Sequence, residues 1–261
     1  MRDGQKQEGW GAGSGGETVD HIPLIWERPM SGAGRDLVVW LPGLTGSKDK
    51  LREHLRLFAD AGFTAVSYDP YEHGDRMRET PEAFRQKLGA NKRRYFWPMI
   101  ALTAEEYPRV IDWAFERFGL DGAVMAGGIS MGGDIAVTAA GLDRRIRAVA
   151  ACISTPDWLR PGSDEAPSEP DTYAWNCYRR CNPLTNAALY AHAPAIRFLN
   201  GAQDGHVPPD GARRFRAALA DAYAPCPERF VATEYEGVGH TFTETMLQDA
   251  LSWFAAHRSD G

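Results

Sequence analysis

From Leu37 to His257, short apolar runs rich in β-branched residues alternate with stretches of helical periodicity, and few folds accept that alternation. Leu37-Val38-Val39-Trp40-Leu41, closed by Pro42-Gly43, reads as a strand buried on both faces and ended by a turn. Leu51, Leu55, Phe58 and Ala59 then share one helical face, and Gly62 stops the helix. Further strands are predicted over 63–68, 123–127, 146–153, 195–199 and 230–235. Helices are predicted over 105–118, 134–140, 211–222 and 245–257. Such an order predicts an α/β domain, with a mostly parallel sheet and helices on both faces. Ligands of these sheets bind beyond the carboxyl ends of the strands, which is where the chemically interesting residues of this chain fall.

The 261 residues suit one domain, expected over 18–261, with a flexible Gly-rich tail over 1–17. Two segments interrupt the alternation, 70–104 and 155–193, and are expected to form a small cap over the strand ends. A net charge of −6 with no basic stripe argues against a nucleic-acid partner. Cys152, Cys177, Cys181 and Cys226 lack a second close Cys/His pair, so they read as reduced thiols and no metal site is expected. With neither a secretory signal pattern nor a membrane-length apolar run, the expectation is a soluble cytoplasmic protein. The oligomeric state is left open by the sequence.

Gly128-Ile129-Ser130-Met131-Gly132 stands between a predicted strand and a predicted helix, the setting of a nucleophile elbow. A serine there sits on a turn so tight that only hydrogen fits at the flanking positions. The helix that follows aims its first amides at the reaction centre, where negative charge develops. A serine hydroxyl attacks only when a base takes its proton, and in this fold the base lies after an acid further along the chain.

His240, in Gly237-Val238-Gly239-His240 directly after the last strand, is the expected base. His206, two residues past Asp204, is the other histidine that follows a late strand, whereas His192 and His257 fall on predicted helices. Asp204 follows the strand over 195–199 and is the expected acid, with Asp157 as its rival after the preceding strand. Two backbone amides are needed to hold an oxyanion; Met131 supplies one, and Leu44 in Pro42-Gly43-Leu44-Thr45-Gly46 the other.

These residues, together with Ser47-Lys48, Tyr71-Glu72-His73-Gly74, Phe96-Trp97, the full run Gly127–Gly133 and Val207-Pro208, resemble the dienelactone-hydrolase-like bacterial carboxylesterases over about residues 36–257. The resemblance implies a single α/β-hydrolase domain with a modest cap, a Ser130–Asp204–His240 triad, the amides of Leu44 and Met131 as oxyanion donors, no cofactor and a small-molecule ester substrate. Two departures stand out. Pro42-Gly43 replaces the family's usual His-Gly, which removes a side chain but keeps the backbone donor. The cap over 155–180 has no counterpart in the pattern, so substrate preference does not carry over.

Phe96, Trp97, Trp158 and Trp175 are candidate walls of an apolar acyl pocket, with core packing as the competing reading. Lys92-Arg93-Arg94 reads as a solvated helix face, with contact to an acidic group of a substrate as the competing reading. The expected chemistry is hydrolysis of carboxylic esters or thioesters through an acyl-enzyme. The alternatives are acyl transfer, cyclisation or peptide cleavage on the same triad, or a non-catalytic binding protein on the same fold.

Overall fold

The computed structural model describes residues 13–30, 34–166 and 168–259. In chain order its elements are β1 (Ser14–Val19), β2 (Ile22–Glu27), β3 (Leu37–Leu41), α1 (Arg52–Asp60), β4 (Thr64–Tyr68), α2 (Pro81–Ala90), α3 (Lys92–Phe118), β5 (Val124–Ile129) and α4 (Met131–Leu142). Then come β6 (Ile146–Cys152), α5 (Thr172–Cys181), β7 (Ala195–Gly201), α6 (Asp210–Ala218), α7 (Ala220–Tyr223), β8 (Phe230–Tyr235) and α8 (Glu244–Ala256). The strands form one sheet in the order β1-β2-β4-β3-β5-β6-β7-β8. From β4 to β8 every neighbour is parallel, while β1–β2 and β2–β4 are antiparallel.

The predicted alternation therefore folds as an α/β sheet. Residues of α3, α4, α5 and α6 bury one face of it, and those of α1 and α8 the other. α4 is buried from Met131 to Gly141, in keeping with a helix that is apolar nearly all round. β3, β4 and β6 carry the β-branched and small apolar residues that a strand covered on both faces requires.

Three expectations change. The predicted tail fails over 14–17, because Ser14–Val19 is a strand whose residues pair with Ile22–Glu27; residues 1–12 lie outside the described residues. Composition concealed this strand because its partner brings the bulk. A Cβ on Gly15 would stand 2.2 Å from the Trp26 ring, so the glycine lets that indole lie across β1. Trp26 in turn stacks on Trp113 and Phe118 of α3, and Trp113 Nε1 donates to Glu17.

The helix expected from 105 begins at Lys92, capped by Asn91 Oδ1, and runs through Pro98 and Pro108 without a break. Each proline removes a helical hydrogen bond, and packing against α4 and α5 outweighs that loss. The basic run Lys92-Arg93-Arg94 is only partly a solvated face, since Arg94 is exposed while Lys92 and Arg93 are half-buried. Lys92 pairs with Glu165, Arg93 Nη1 donates to Ser168 O and Nη2 to Leu159 O, and Arg94 pairs with Asp171. The start of α3 thus clasps the irregular loop that follows β6.

Candidate active site

β5, β7 and β8 run parallel, so the loops that leave their carboxyl ends meet at one edge of the sheet. At the end of β5, Ser130 has φ 52° and ψ −113°, a conformation that L-residues adopt only under strain. Neighbouring glycines make room for it. A Cβ on Gly132 would lie 2.2 Å from Leu41 O, and one on Gly128 2.5 Å from the same oxygen. The elbow and the end of β3 can approach this closely only with hydrogen at both positions.

That approach brings the loop after β3 beside the serine. Gly43 lies against it, with Ser130 Cβ 3.6 Å from where a Gly43 Cβ would stand. Gly46 N donates to Gly43 O at 2.9 Å and closes a turn around Leu44 and Thr45. The amides of Leu44 and Met131 donate to no acceptor among the described residues. Met131 is the first residue of α4, where an amide has no partner within its helix. Unpaired backbone N–H groups of this kind are what an oxyanion requires.

The same loop is anchored from beneath. Asp69, fully buried at the end of β4, accepts from Lys48 N, Lys48 Nζ and Asp75 N, each at 2.9 Å. Lys48 Nζ also reaches Asp75 at 2.6 Å. Burial works against the Lys48 charge, but these carboxylates outweigh it and hold the ammonium well above the usual lysine range.

Ser130 Oγ lies 3.0 Å from His240 Nε2, and His240 Nδ1 lies 2.7 Å from Asp204 Oδ2. Asp204 has its other oxygen committed, since Oδ1 accepts from His206 N at 3.0 Å and Val207 N at 2.8 Å. Burial alone would raise its carboxyl; the hydrogen bonds from His240 and Val207 outweigh that and hold it below the ordinary range. The loop bearing His240 is tied to the segment just past β7, where Gln203 N donates to Val238 O at 2.9 Å.

The sequence-expected Ser130, Asp204 and His240 are thus one hydrogen-bonded chain. Asp157, the rival acid, is taken up elsewhere: Oδ2 accepts from Arg214 at 2.6 Å and Oδ1 from Leu159 N. His192 Nδ1 faces Leu189 O and His257 Nδ1 faces Trp253 O, both local contacts. Phe96, Trp97 and Trp158 are buried, and Trp97 Nε1 donates to Trp158 O at 3.1 Å. Trp97 also stacks on Tyr178 and the half-buried Trp175, with centroids 4.7 and 5.3 Å away. These aromatics pack on one another and on the core. Phe96, Trp97 and Trp158 line a cavity of only about 40 Å³, the size of a water.

Several residues at the site were not assigned to it from the sequence. His206, Glu165, Arg160, Lys92 and Asp134 form a polar cluster beside His240. Asp134 was detectable in principle, four residues past Ser130 in the first turn of its helix. Glu165 and Arg160 lie in an irregular loop with no periodicity to place them.

Comparison with known proteins agrees with this architecture. A Bacillus subtilis (strain 168) protein named "Putative esterase YitV" is 25% identical over 257 residues, covering 92% of this chain and 97% of that protein. The crystal structure of TT1662 from Thermus thermophilus superposes with a TM-score of 0.73 at 26% identity, over 93% of this chain and 97% of that one. That of a "Putative Dienelactone Hydrolase" from Klebsiella pneumoniae subsp. pneumoniae MGH 78578 superposes with a TM-score of 0.65 at 18% identity, over 93% and 98%. The family model described as alpha/beta hydrolase fold matches residues 36–178, more than half the sequence and the stretch that holds the elbow and the loop beside it. The chain belongs to the α/β-hydrolase fold family.

Proposed function

We propose that this chain is a serine hydrolase that cleaves small carboxylic esters or thioesters through an acyl-enzyme on Ser130. The observation that carries the reading is the continuous chain from Ser130 Oγ to His240 at 3.0 Å and on to Asp204 at 2.7 Å. The esterase name of the Bacillus subtilis relative is in keeping with it.

The chemistry follows from the groups present. His240 Nε2 accepts the Ser130 proton as Oγ bonds to the substrate carbonyl carbon. The carbonyl oxygen gains the charge and is held by the amides of Leu44 and Met131, assisted by the amino end of α4. Asp204 receives the Nδ1–H of His240, fixes the tautomer that leaves Nε2 free to accept, and stabilises the imidazolium. His240 then gives its proton to the leaving alcohol or thiol. A water activated by the same imidazole attacks the acyl-serine, releasing the acid and restoring the Ser130 hydroxyl.

The test is turnover of a p-nitrophenyl short-chain ester by the wild type and by Ser130→Ala. Loss of nearly all turnover with an unchanged melting curve supports the reading; full activity in Ser130→Ala refutes it.

A further inference from the structure

A ring of contacts leads from His240 away from Ser130 and back to it. His206 meets His240 edge to face, with ring centroids 4.8 Å apart and planes inclined at 62°. Its Nε2 lies 3.0 Å from Glu165 Oε1, the geometry of a neutral imidazole donating its N–H to a carboxylate. That same oxygen accepts from Arg160 Nη1 at 2.9 Å and from Lys92 Nζ. Arg160 Nη2 donates to Asp134 Oδ2 at 2.7 Å, and Asp134 N donates to Ser130 O at 3.0 Å. Arg160 and Asp134 are buried, and the Asp134 side chain has no exposure.

His240 itself has few restraints. Its side chain is 27% exposed, it stands on the Gly237-Val238-Gly239 loop, and its polar partners are Ser130 and Asp204. A base must reach both at once, and a misplacement of about 1 Å can cost on the order of 10²-fold in rate.

We propose, resting on the reading of His240 as the base, that His206 is a positioning residue whose ring walls the His240 imidazole and is itself held in place by Glu165. The surroundings suit the task. Burial and the positive charges of Lys92 and Arg160 hold His206 below the usual histidine range, while Glu165 works in the other direction. The net direction keeps the ring uncharged next to an imidazole that must take up a proton. Burial works against the Glu165 charge, but Arg160 and Lys92 outweigh it, so the anchor stays ionised.

The test measures kcat and KM for p-nitrophenyl acetate in wild type, His206→Ala, His206→Phe, Glu165→Ala and the His206→Phe/Glu165→Ala double variant. Ser130→Ala serves as blank and thermal melting reports folding. His206→Ala is expected to lose about tenfold in kcat with KM within about twofold, and His206→Phe, which keeps a flat ring, to stay within about threefold. Glu165→Ala lowers kcat more in the wild-type background than in the His206→Phe background, because the part of its influence that passes through the His206 N–H is absent there. A His206→Ala enzyme with wild-type kcat, or a Glu165→Ala loss of equal size in both backgrounds, overturns the proposal. The two His206 variants decide the matter where Glu165→Ala does not fold. Wild type lacking Ser130-dependent turnover overturns the base assignment and this proposal with it. Ser130-dependent turnover with an unimpaired His206→Ala overturns this proposal alone.

Discussion

Gly201, the last residue of β7, lies directly beneath the carbonyl of Gly239: a Cβ on it would stand 2.4 Å from that oxygen and 2.3 Å from Val238 O. The loop that carries His240 rests on the bare backbone of the strand that leads to Asp204. Gly201→Ala must therefore lift this loop. We expect kcat/KM to fall on the order of 10²-fold, since a shift of about 1 Å breaks the contact between His240 and Ser130. Ester turnover set against a melting curve checks this; an unaltered kcat/KM would mean that the loop tolerates the displacement.

Asp204→Asn keeps the shape of the acid and removes its charge. Hydrogen bonding would then favour the His240 tautomer with its proton on Nε2, which cannot accept from Ser130. The expected loss in kcat is on the order of 10³- to 10⁴-fold. Steady-state kinetics on a p-nitrophenyl ester measure it.

Acid should also reveal Asp204. Its folded carboxyl lies below its unfolded value, so the group stabilises the fold fully above an unfolded value of about 4, and that contribution is lost as pH falls through the folded one. Asp204→Asn has no such contribution to lose. The gap in Tm between wild type and variant should thus be widest above about pH 5 and narrow as pH falls below about 4. Melting curves across that range decide; a gap that widens on acidification would contradict the sign.

How much of this was legible beforehand differs by residue. Ser130 and Met131 were readable because an elbow demands glycines at fixed offsets, and Gly128 and Gly132 do meet Leu41 O at distances that bar any side chain. Asp204 and His240 were readable because they fall in the short loops after β7 and β8, whose apolar and aromatic residues mark them as strands even though β8 is only partly buried. β1 was not, because it takes its bulk from Trp26 across the pair and has no pattern of its own. Nor was the first half of α3, where Pro98 argues locally for a break that packing overrides. The cluster around Glu165 joins residues 92, 134, 160 and 206, and no local rule links such positions.

Lys48→Met tests the anchor beneath the loop after β3. It would leave the buried carboxyl group of Asp69 without the lysine it pairs with, a change that typically costs about 3–5 kcal/mol. Chemical denaturation should show that loss, and a cost under about 1 kcal/mol would make the pair a surface-like contact.

Trp97→Ala separates packing from substrate contact. As a core residue at 1% exposure, its loss should lower stability by about 3–5 kcal/mol. KM for a short-chain ester should stay within about twofold. A large rise in KM at undiminished stability would return Trp97 to the substrate pocket.

β8 ends the sheet with a neighbour on one side only among the described residues, and the turn to His240 leaves from its tip. Ser130 rides instead between β5 and α4, both buried near the middle of the molecule. Margins of a sheet fray at lower cost than its centre. The Ser130 hydroxyl is thus mounted on one of the most durable parts of the protein and the His240 imidazole beside it on one of the first to loosen. On warming, a fluorophosphonate should stop labelling Ser130 while tryptophan fluorescence still reports a folded interior, so that competence is surrendered at the rim before the body melts.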